Sequence, residues 1–201
     1  MRILLIRHGR SAHVSSRTLL DRAGVERWRA DYDAAGIIAN DEPPLALRSS
    51  VERADVLVAS DLPRAIASAK RLVPQRPVSE SPLFRELPLP IPSIARLRAP
   101  LSVWGALIHA RWILDIARRQ DATSEALEQA RLATEWCRTT CCEHRTDCTL
   151  AVVTHGVFRR LLARQLVEDG WRLESRRRSY AHWSVWALAA RGENHTSAAA
   201  Y

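Results

Sequence analysis

The sequence predicts an α/β fold: a three-layer sandwich with a mainly parallel central sheet and helices on both faces. Three observations point to it. Strand-like and helix-like segments alternate along the chain. Thr149 to Thr154 (T-L-A-V-V-T) is nearly all apolar, the pattern of a central strand buried on both faces. Polar clusters follow three of the strand candidates, at the carboxyl ends where ligands bind in such sheets.

The elements follow in order. Arg2 to Ile6 is a short strand, and the long polar stretch from Arg10 to Leu47 carries one helix, about Val25 to Ala35, ended by Gly36. Asp55 to Ser60 is a second buried strand. It leads through Asp61-Leu62-Pro63 into a helix from Arg64 to Leu72, with proline at a helix start where its missing N–H costs nothing. Pro77 to Ser81 is a third strand. Residues 82–100 hold prolines at 82, 88, 90, 92 and 100, so this segment is loop or extended chain. Leu101 to Arg119 and Ser124 to Cys142 are amphipathic helices. Thr123 or Ser124 caps the second, and Glu125 and Glu128 suit its positive end. Thr149 to Thr154 is the fourth strand, Val157 to Glu168 a helix opened by His155-Gly156, and Tyr180 to Leu188 the last strand. We expect one domain over residues 1–190, a helical and loop cap insert at about 82–120, and a flexible tail at 191–201.

Composition narrows the function classes. Of 201 residues, 47% are hydrophobic and 26% charged, as in globular proteins, which excludes disordered and collagen-like chains. No apolar run approaches the roughly 18 residues of a membrane span. Ile3 to Ile6 is too short for a signal-peptide core, so a cytoplasmic location is expected. The net charge of +8 comes almost wholly from arginine, Lys70 being the only lysine. That favours anionic partners, although arginine bias also follows from genome composition alone. Cys137, Cys141, Cys142 and Cys148 cluster near His144. A zinc site is one reading. Small apolar core fillers in a reducing compartment is the other, since no C-x-x-C pair is present.

Arg7-His8-Gly9 follows strand one, Ser60-Asp61-Leu62-Pro63-Arg64 strand two, and Thr154-His155-Gly156 strand four. If these strands are neighbours, two arginines and two imidazoles meet in one small volume, an arrangement suited to a phosphoryl dianion. The N–H groups of Gly156 and Val157, opening a helix, would add to it. Histidine in such a place can be a covalent nucleophile.

These three motifs, R-H-G, S-D-L-P-R-A and V-T-H-G, in this order resemble the histidine phosphatase superfamily, the phosphoglycerate mutase-like fold. The likeness runs from Met1 to about Leu188. Trp28, Tyr32-Asp33, Gly36-Ile37 and Pro43-Pro44-Leu45 agree with it less specifically. The resemblance implies His8 as nucleophile, with Arg7, Arg64 and His155 on the phosphoryl oxygens. Phe84-Arg85-Glu86-Leu87 resembles the family's acid loop, making Glu86 the proton donor, a carboxyl kept protonated by partial burial; Glu80 is the neighbouring alternative. Ser11 and Gly156 are further phosphate contacts, Ser11 being otherwise a turn residue. Thr154 supports its strand end. Neither metal nor cofactor is implied, because the arginines neutralise charge.

The implied activity is metal-independent hydrolysis of a phosphomonoester, on a small molecule or a phosphoprotein, through phosphohistidine at His8. Phosphoglycerate mutase-type transfer is the alternative. The mutase-type pattern has Asn where Val14 stands, and the chain is short for that subgroup; both favour hydrolysis. A non-catalytic phospho-ligand binder is a second alternative. A nucleic-acid binder is a third, suggested by charge alone and lacking a basic recognition helix or stacking motif. His13 faces either solvent or the pocket. Arg176-Arg177-Arg178 is a solvated charge run or a pocket wall. Trp104 and Trp112, eight residues apart with Arg96, Arg98 and Arg111 nearby, either cap the site or pack against the domain. The sequence does not indicate an oligomeric state.

Overall fold

A computed structural model describes residues 1–13, 18–118, 121–144, 147–174 and 179–190. In chain order the elements are β1 (Arg2–Arg7), α1 (Arg22–Ala34), α2 (Leu45–Glu52), β2 (Val56–Ser60), α3 (Pro63–Leu72), β3 (Ser79–Ser81), α4 (Leu101–Arg118), α5 (Asp121–His144), β4 (Thr149–Thr154), α6 (Gly156–Glu168), β5 (Trp171–Leu173) and β6 (Val185–Ala190). The six strands form one sheet in the order β3-β2-β4-β1-β6-β5. The first four run parallel; β6 is antiparallel to β1, and β5 to β6.

The alternation of side chains along β1 builds the layers. Ile3 and Leu5 join Leu150 and Val152 of β4 on one face, under Phe158, Leu162 and Leu166 of α6 and Ala130, Ala133 and Cys137 of α5. Leu4 and Ile6 join Leu57, Ala59, Ala151 and Val153 on the other face, under Val51 of α2 and Ala65, Ala69 and Leu72 of α3. Each fully buried Leu, Ile, Val or Phe here contributes about 1.5–3 kcal/mol. β4 is buried on both faces, as its apolar run predicts.

Several boundaries differ from the sequence expectation. α1 starts at Arg22, where the Asp21 carboxylate caps Gly24 N at 2.8 Å. α5 starts at Asp121, ahead of the Thr123 or Ser124 cap. α2 and β5 are additional elements. α2 lies where the Pro43-Pro44 pair masks its start, and β5 has only three residues. The last strand begins at Val185, five residues later than expected. Residues 180–184 form a turn in which Trp183 has φ 60°, a conformation closed to a strand. Trp104 and Trp112 are buried in the core, and Trp104 Nε1 donates to Leu20 O at 2.8 Å; both pack rather than cap.

Three of the four clustered cysteines take the core-filling role, and Cys142 is exposed. Cys137, Cys141 and Cys148 are buried free thiols, and burial pushes each thiol pKa up. Among the described residues no group of three or more His, Cys, Asp or Glu is placed to hold a metal ion, and no helix is long and apolar enough to cross a membrane. Val14, Arg176 to Arg178, the segment 191–201 and the side chain of His144 lie outside the described residues.

Candidate active site

Strand register brings the three motifs together. Arg7 lies opposite Thr154 across the β1–β4 pair, and Ala59 opposite Val153 across β2–β4, so His8, His155 and Ser60 finish side by side. His8 N donates to Thr154 O at 3.0 Å, tying the two strand ends together. The His8 and His155 rings are 5.0 Å apart and both are buried.

Hydrogen bonds orient the imidazoles. His8 Nδ1 lies 2.6 Å from Gly9 O. A carbonyl only accepts, so Nδ1 carries the proton and Nε2 keeps its lone pair. His155 is the N-cap residue of α6, with Nε2 2.8 Å from Ser60 Oγ. Burial pushes both pKa values well below that of ordinary histidine. Arg64 and Arg7 add to the effect at both rings, and the neighbouring His8 adds to it at His155. Both therefore rest neutral at pH 7, the state a nucleophile requires.

The arginines complete the pocket. Arg64 is buried, stacks 4.3 Å over the Tyr32 ring, donates to Tyr32 O at 3.1 Å and forms an ion pair with Asp33 Oδ1 at 3.1 Å. Tyr32 in turn stacks on Trp28, whose ring meets that of His13. His13 thus packs against the aromatic wall and does not face solvent. Arg7 donates through Nη1 to Tyr180 O and lies against Gly156, where an added Cβ would meet its guanidinium at 3.5 Å. Among the described residues, three buried nitrogens of the side chains around His8 have no hydrogen-bond partner: Arg7 Nε, Arg64 Nε and His155 Nδ1.

Glu86 reaches this region from the loop after β3. Phe84 O accepts from Thr154 Oγ1 at 2.7 Å, and Arg85 makes a two-point bridge to Asp61 at 2.6 and 2.5 Å. The Glu86 carboxylate accepts from Phe158 N at 2.7 Å, Val157 N at 3.1 Å and Leu87 N at 3.2 Å. This differs from the sequence expectation in two ways. Glu86 is docked on the positive end of α6 and is not simply sequestered, and Val157 N is engaged by Glu86 and not left for a phosphoryl oxygen. Glu80 lies exposed on edge strand β3. Asp41 is buried and saturated by Arg10 N, Arg10 Nε and Trp183 Nε1, and Glu42 pairs with Arg71 and Arg48 at the surface. Ser11 bridges to Ile37, and its hydroxyl accepts from His13 N at 3.2 Å. A cleft of about 1080 Å³ opens beside Arg64 and Glu86, bounded by Trp28, Tyr32, Leu87 and His109.

Sequence reasoning did not single out two further side chains. Arg159, one turn into α6, is fully buried and donates to Ser184 O, Ser184 Oγ and Ser179 O. Burial pushes its pKa down to about 10. His182, in the turn before β6, lies 5.3 Å from the His8 ring. Arg159 is signalled in the sequence only by its place four residues after His155, and nothing in the sequence marks His182.

The fold matches several solved structures. A mycobacterial glucosyl-3-phosphoglycerate phosphatase complexed with VO3 aligns with a TM-score of 0.54 at 19% identity, over 83% of this chain and 82% of that one. Phosphoserine phosphatase from Entamoeba histolytica, complexed with 3-phosphoglyceric acid, aligns with a TM-score of 0.54 at 14% identity, over 92% and 89%. A protein described as mycobacterial hydrolase 1 aligns with a TM-score of 0.55 at 16% identity, over 94% and 97%. The chain has the phosphoglycerate mutase-like fold. No family sequence model matches the chain, and no curated protein does.

Proposed function

We propose that this protein is a histidine phosphatase, hydrolysing a phosphorylated small molecule through a phosphohistidine at His8. One observation carries the reading: among the described residues the buried nitrogens Arg7 Nε, Arg64 Nε and His155 Nδ1 have no partner, and they belong to the two guanidinium groups that act on the His8 ring and to the imidazole 5.0 Å from it. A buried donor without a partner costs about 1–3 kcal/mol. Phosphoryl oxygens, with several lone pairs each, accept from both arginine Nε–H groups, and from His155 Nδ1 in the tautomer in which Ser60 Oγ, itself accepting from Leu62 N, donates to Nε2.

His8 Nε2 attacks phosphorus in line with the ester oxygen. The N–P bond forms as the P–O bond breaks, while Arg7, Arg64 and His155 hold the equatorial charge. Glu86 enters this step as the carboxylic acid, and the departing alkoxide takes its proton. Oε2 is the oxygen suited to carry it, because it holds the longer bond to α6, 3.1 Å to Val157 N. The resulting carboxylate then takes a proton from water as that water attacks phosphohistidine, which releases phosphate and restores both groups. The phosphatases that share this fold act, by name, on glucosyl-3-phosphoglycerate and phosphoserine, which supports a small phosphorylated substrate. The buried free thiols suit a reducing, cytoplasmic setting.

The test is rapid quench of the enzyme with a ³²P-labelled phosphomonoester. An acid-labile, base-stable protein label is expected in the wild type, and none in His8→Ala, whose turnover falls to a few per cent or less. A labelled His8→Ala protein, or full turnover without His8, overturns the reading.

A further inference from the structure

Two imidazoles neighbour the His8 ring, those of His155 and His182. The second, His182, belongs to the turn 179–184, and that turn is fastened from several directions. Arg159 donates to Ser179 O and to Ser184 O and Oγ. Arg7 Nη1 donates to Tyr180 O. Trp183 N donates to Arg7 O at 3.1 Å, and Trp183 Nε1 to Asp41 Oδ2 at 2.8 Å. So many ties fix the position of the residue between Ala181 and Trp183. That residue is a titratable ring 5.3 Å from the His8 ring and tilted 49° to it.

The orientation of this ring is defined. His182 Nδ1 lies 3.2 Å from His8 O, an acceptor only, so Nδ1 carries a proton. The remaining nitrogen, Nε2, lies on the opposite edge, away from the main chain of β1. The ring is half-buried, unlike those of His8 and His155. The charges around it come from every neighbouring element: Arg7 and His8 at the end of β1, Arg10 beyond it, and Asp41 before α2. Burial lowers its pKa and Arg7 lowers it further, while the bond to His8 O and the Asp41 carboxylate act the other way. At rest it is therefore neutral at pH 7.

We propose that His182 is a further binding residue of the phosphate site, taking up a proton at Nε2 when a dianion enters beside His8. The proposal rests on the phosphate-site reading above. A dianion a few ångströms away favours the imidazolium, as opposite charge always does. By linkage, binding then draws in a proton, and affinity rises as pH falls. His182 thereby adds a cation only when the site is filled. A permanent third cation beside Arg7 and Arg64 would repel them both at rest.

Sulfate is the probe, because it stays dianionic across the range and any pH dependence belongs to the protein. Sulfate titrations by calorimetry at pH 5.5 to 8, in buffers of different ionisation enthalpy, measure affinity and proton uptake together. His182→Asn is the diagnostic variant, since its amide N–H still reaches His8 O but cannot titrate. The wild type is expected to bind sulfate several-fold more tightly for each pH unit below neutrality. The variant should lose a substantial part of that slope and a substantial fraction of a proton from the uptake, the remainder belonging to His8 and His155. An unchanged slope and uptake in the variant overturn the role of His182 and leave the phosphate site standing. A loss of sulfate affinity by the same factor at every pH also overturns it, by making His182 a positioning residue for His8. A wild type that binds no sulfate overturns the phosphate site and this proposal together.

Discussion

Gly9 has no room for a side chain, and the reason lies in the same turn that carries His182. A Cβ at Gly9 would lie 2.7 Å from Trp183 Cε2 and 2.8 Å from Asp41 Oδ2. Carbon atoms in ordinary contact sit about 3.5–4.0 Å apart, so the indole would have to retreat by roughly 1 Å. It cannot do so alone: Trp183 Nε1 donates to that same Asp41 oxygen, which also accepts Arg10 N at 2.5 Å. Overpacking a filled site costs about 1–3 kcal/mol, and losing a hydrogen bond to a charged group about 1.5–3 kcal/mol. Gly9→Ala should therefore destabilise by about 3 kcal/mol, which in a chain of this size lowers Tm by about 6–12 °C. Thermal and urea unfolding of the purified variant measure it. In a Trp183→Phe background, which lacks the indole nitrogen and the outer ring, the cost of Gly9→Ala should shrink by at least about 1 kcal/mol, as expected for residues in contact. A variant within about 0.5 kcal/mol of wild type, the ordinary scatter of harmless substitutions, refutes the steric account. So does strict additivity of the pair.

Two further outcomes follow from the site. Glu86→Gln should slow phosphorylation of the enzyme by an alkyl phosphate at least ten-fold more than by nitrophenyl phosphate, a differential barrier of about 1.4 kcal/mol, because only the alkoxide needs a proton as it leaves. Single-turnover kinetics read this step apart from phosphohistidine hydrolysis, and equal losses would remove Glu86 from the acid role. His8 and His155 are held below the usual histidine pKa in the folded chain, whereas the unfolded chain binds their protons at about 6.5. The unfolded state thus binds more protons below that pH, so stability should fall from pH 7 to pH 5.5 by up to about 1.4 kcal/mol per group per pH unit. Urea midpoints measure the slope; His155→Asn should flatten it, and a level wild-type profile would count against two neutral buried rings.

The legible parts of the fold were those with strong local signals. β4 is apolar over its length and was placed residue for residue, because burial on both faces leaves no alternation to misread. α3 followed from Pro63 at its start. The antiparallel direction of β6 was not legible, since strand direction depends on how the chain returns and not on side-chain period. α2 is eight residues long and follows two prolines without a side-chain cap, so neither periodicity nor capping marked it. β5 is held by its pairing with β6 and by the burial of Trp171, both of them tertiary effects.

The site divides along the same line. Arg7, His8, Arg64 and His155 are within one or two residues of strand ends or helix starts, where a local motif reports its own position. The turn 179–184 has no such motif. Read by alternation it continues a strand, yet Trp183 has φ 60°, a conformation that costs a bulky residue about 1–3 kcal/mol. What offsets that cost is spread over the chain: Asp41 on the indole nitrogen, Arg159 on Ser179 and Ser184, and Arg7 on Tyr180. Partners 20 to 173 residues away leave no periodic trace in the segment they hold. The same dependence explains why Arg159 and His182 escaped notice while His8 did not. Arg159 acts through main-chain carbonyls, which any sequence supplies, and His182 meets His8 only because those carbonyls are held. Residues that assemble a site through long-range ties to main-chain atoms are thus the ones a single sequence conceals.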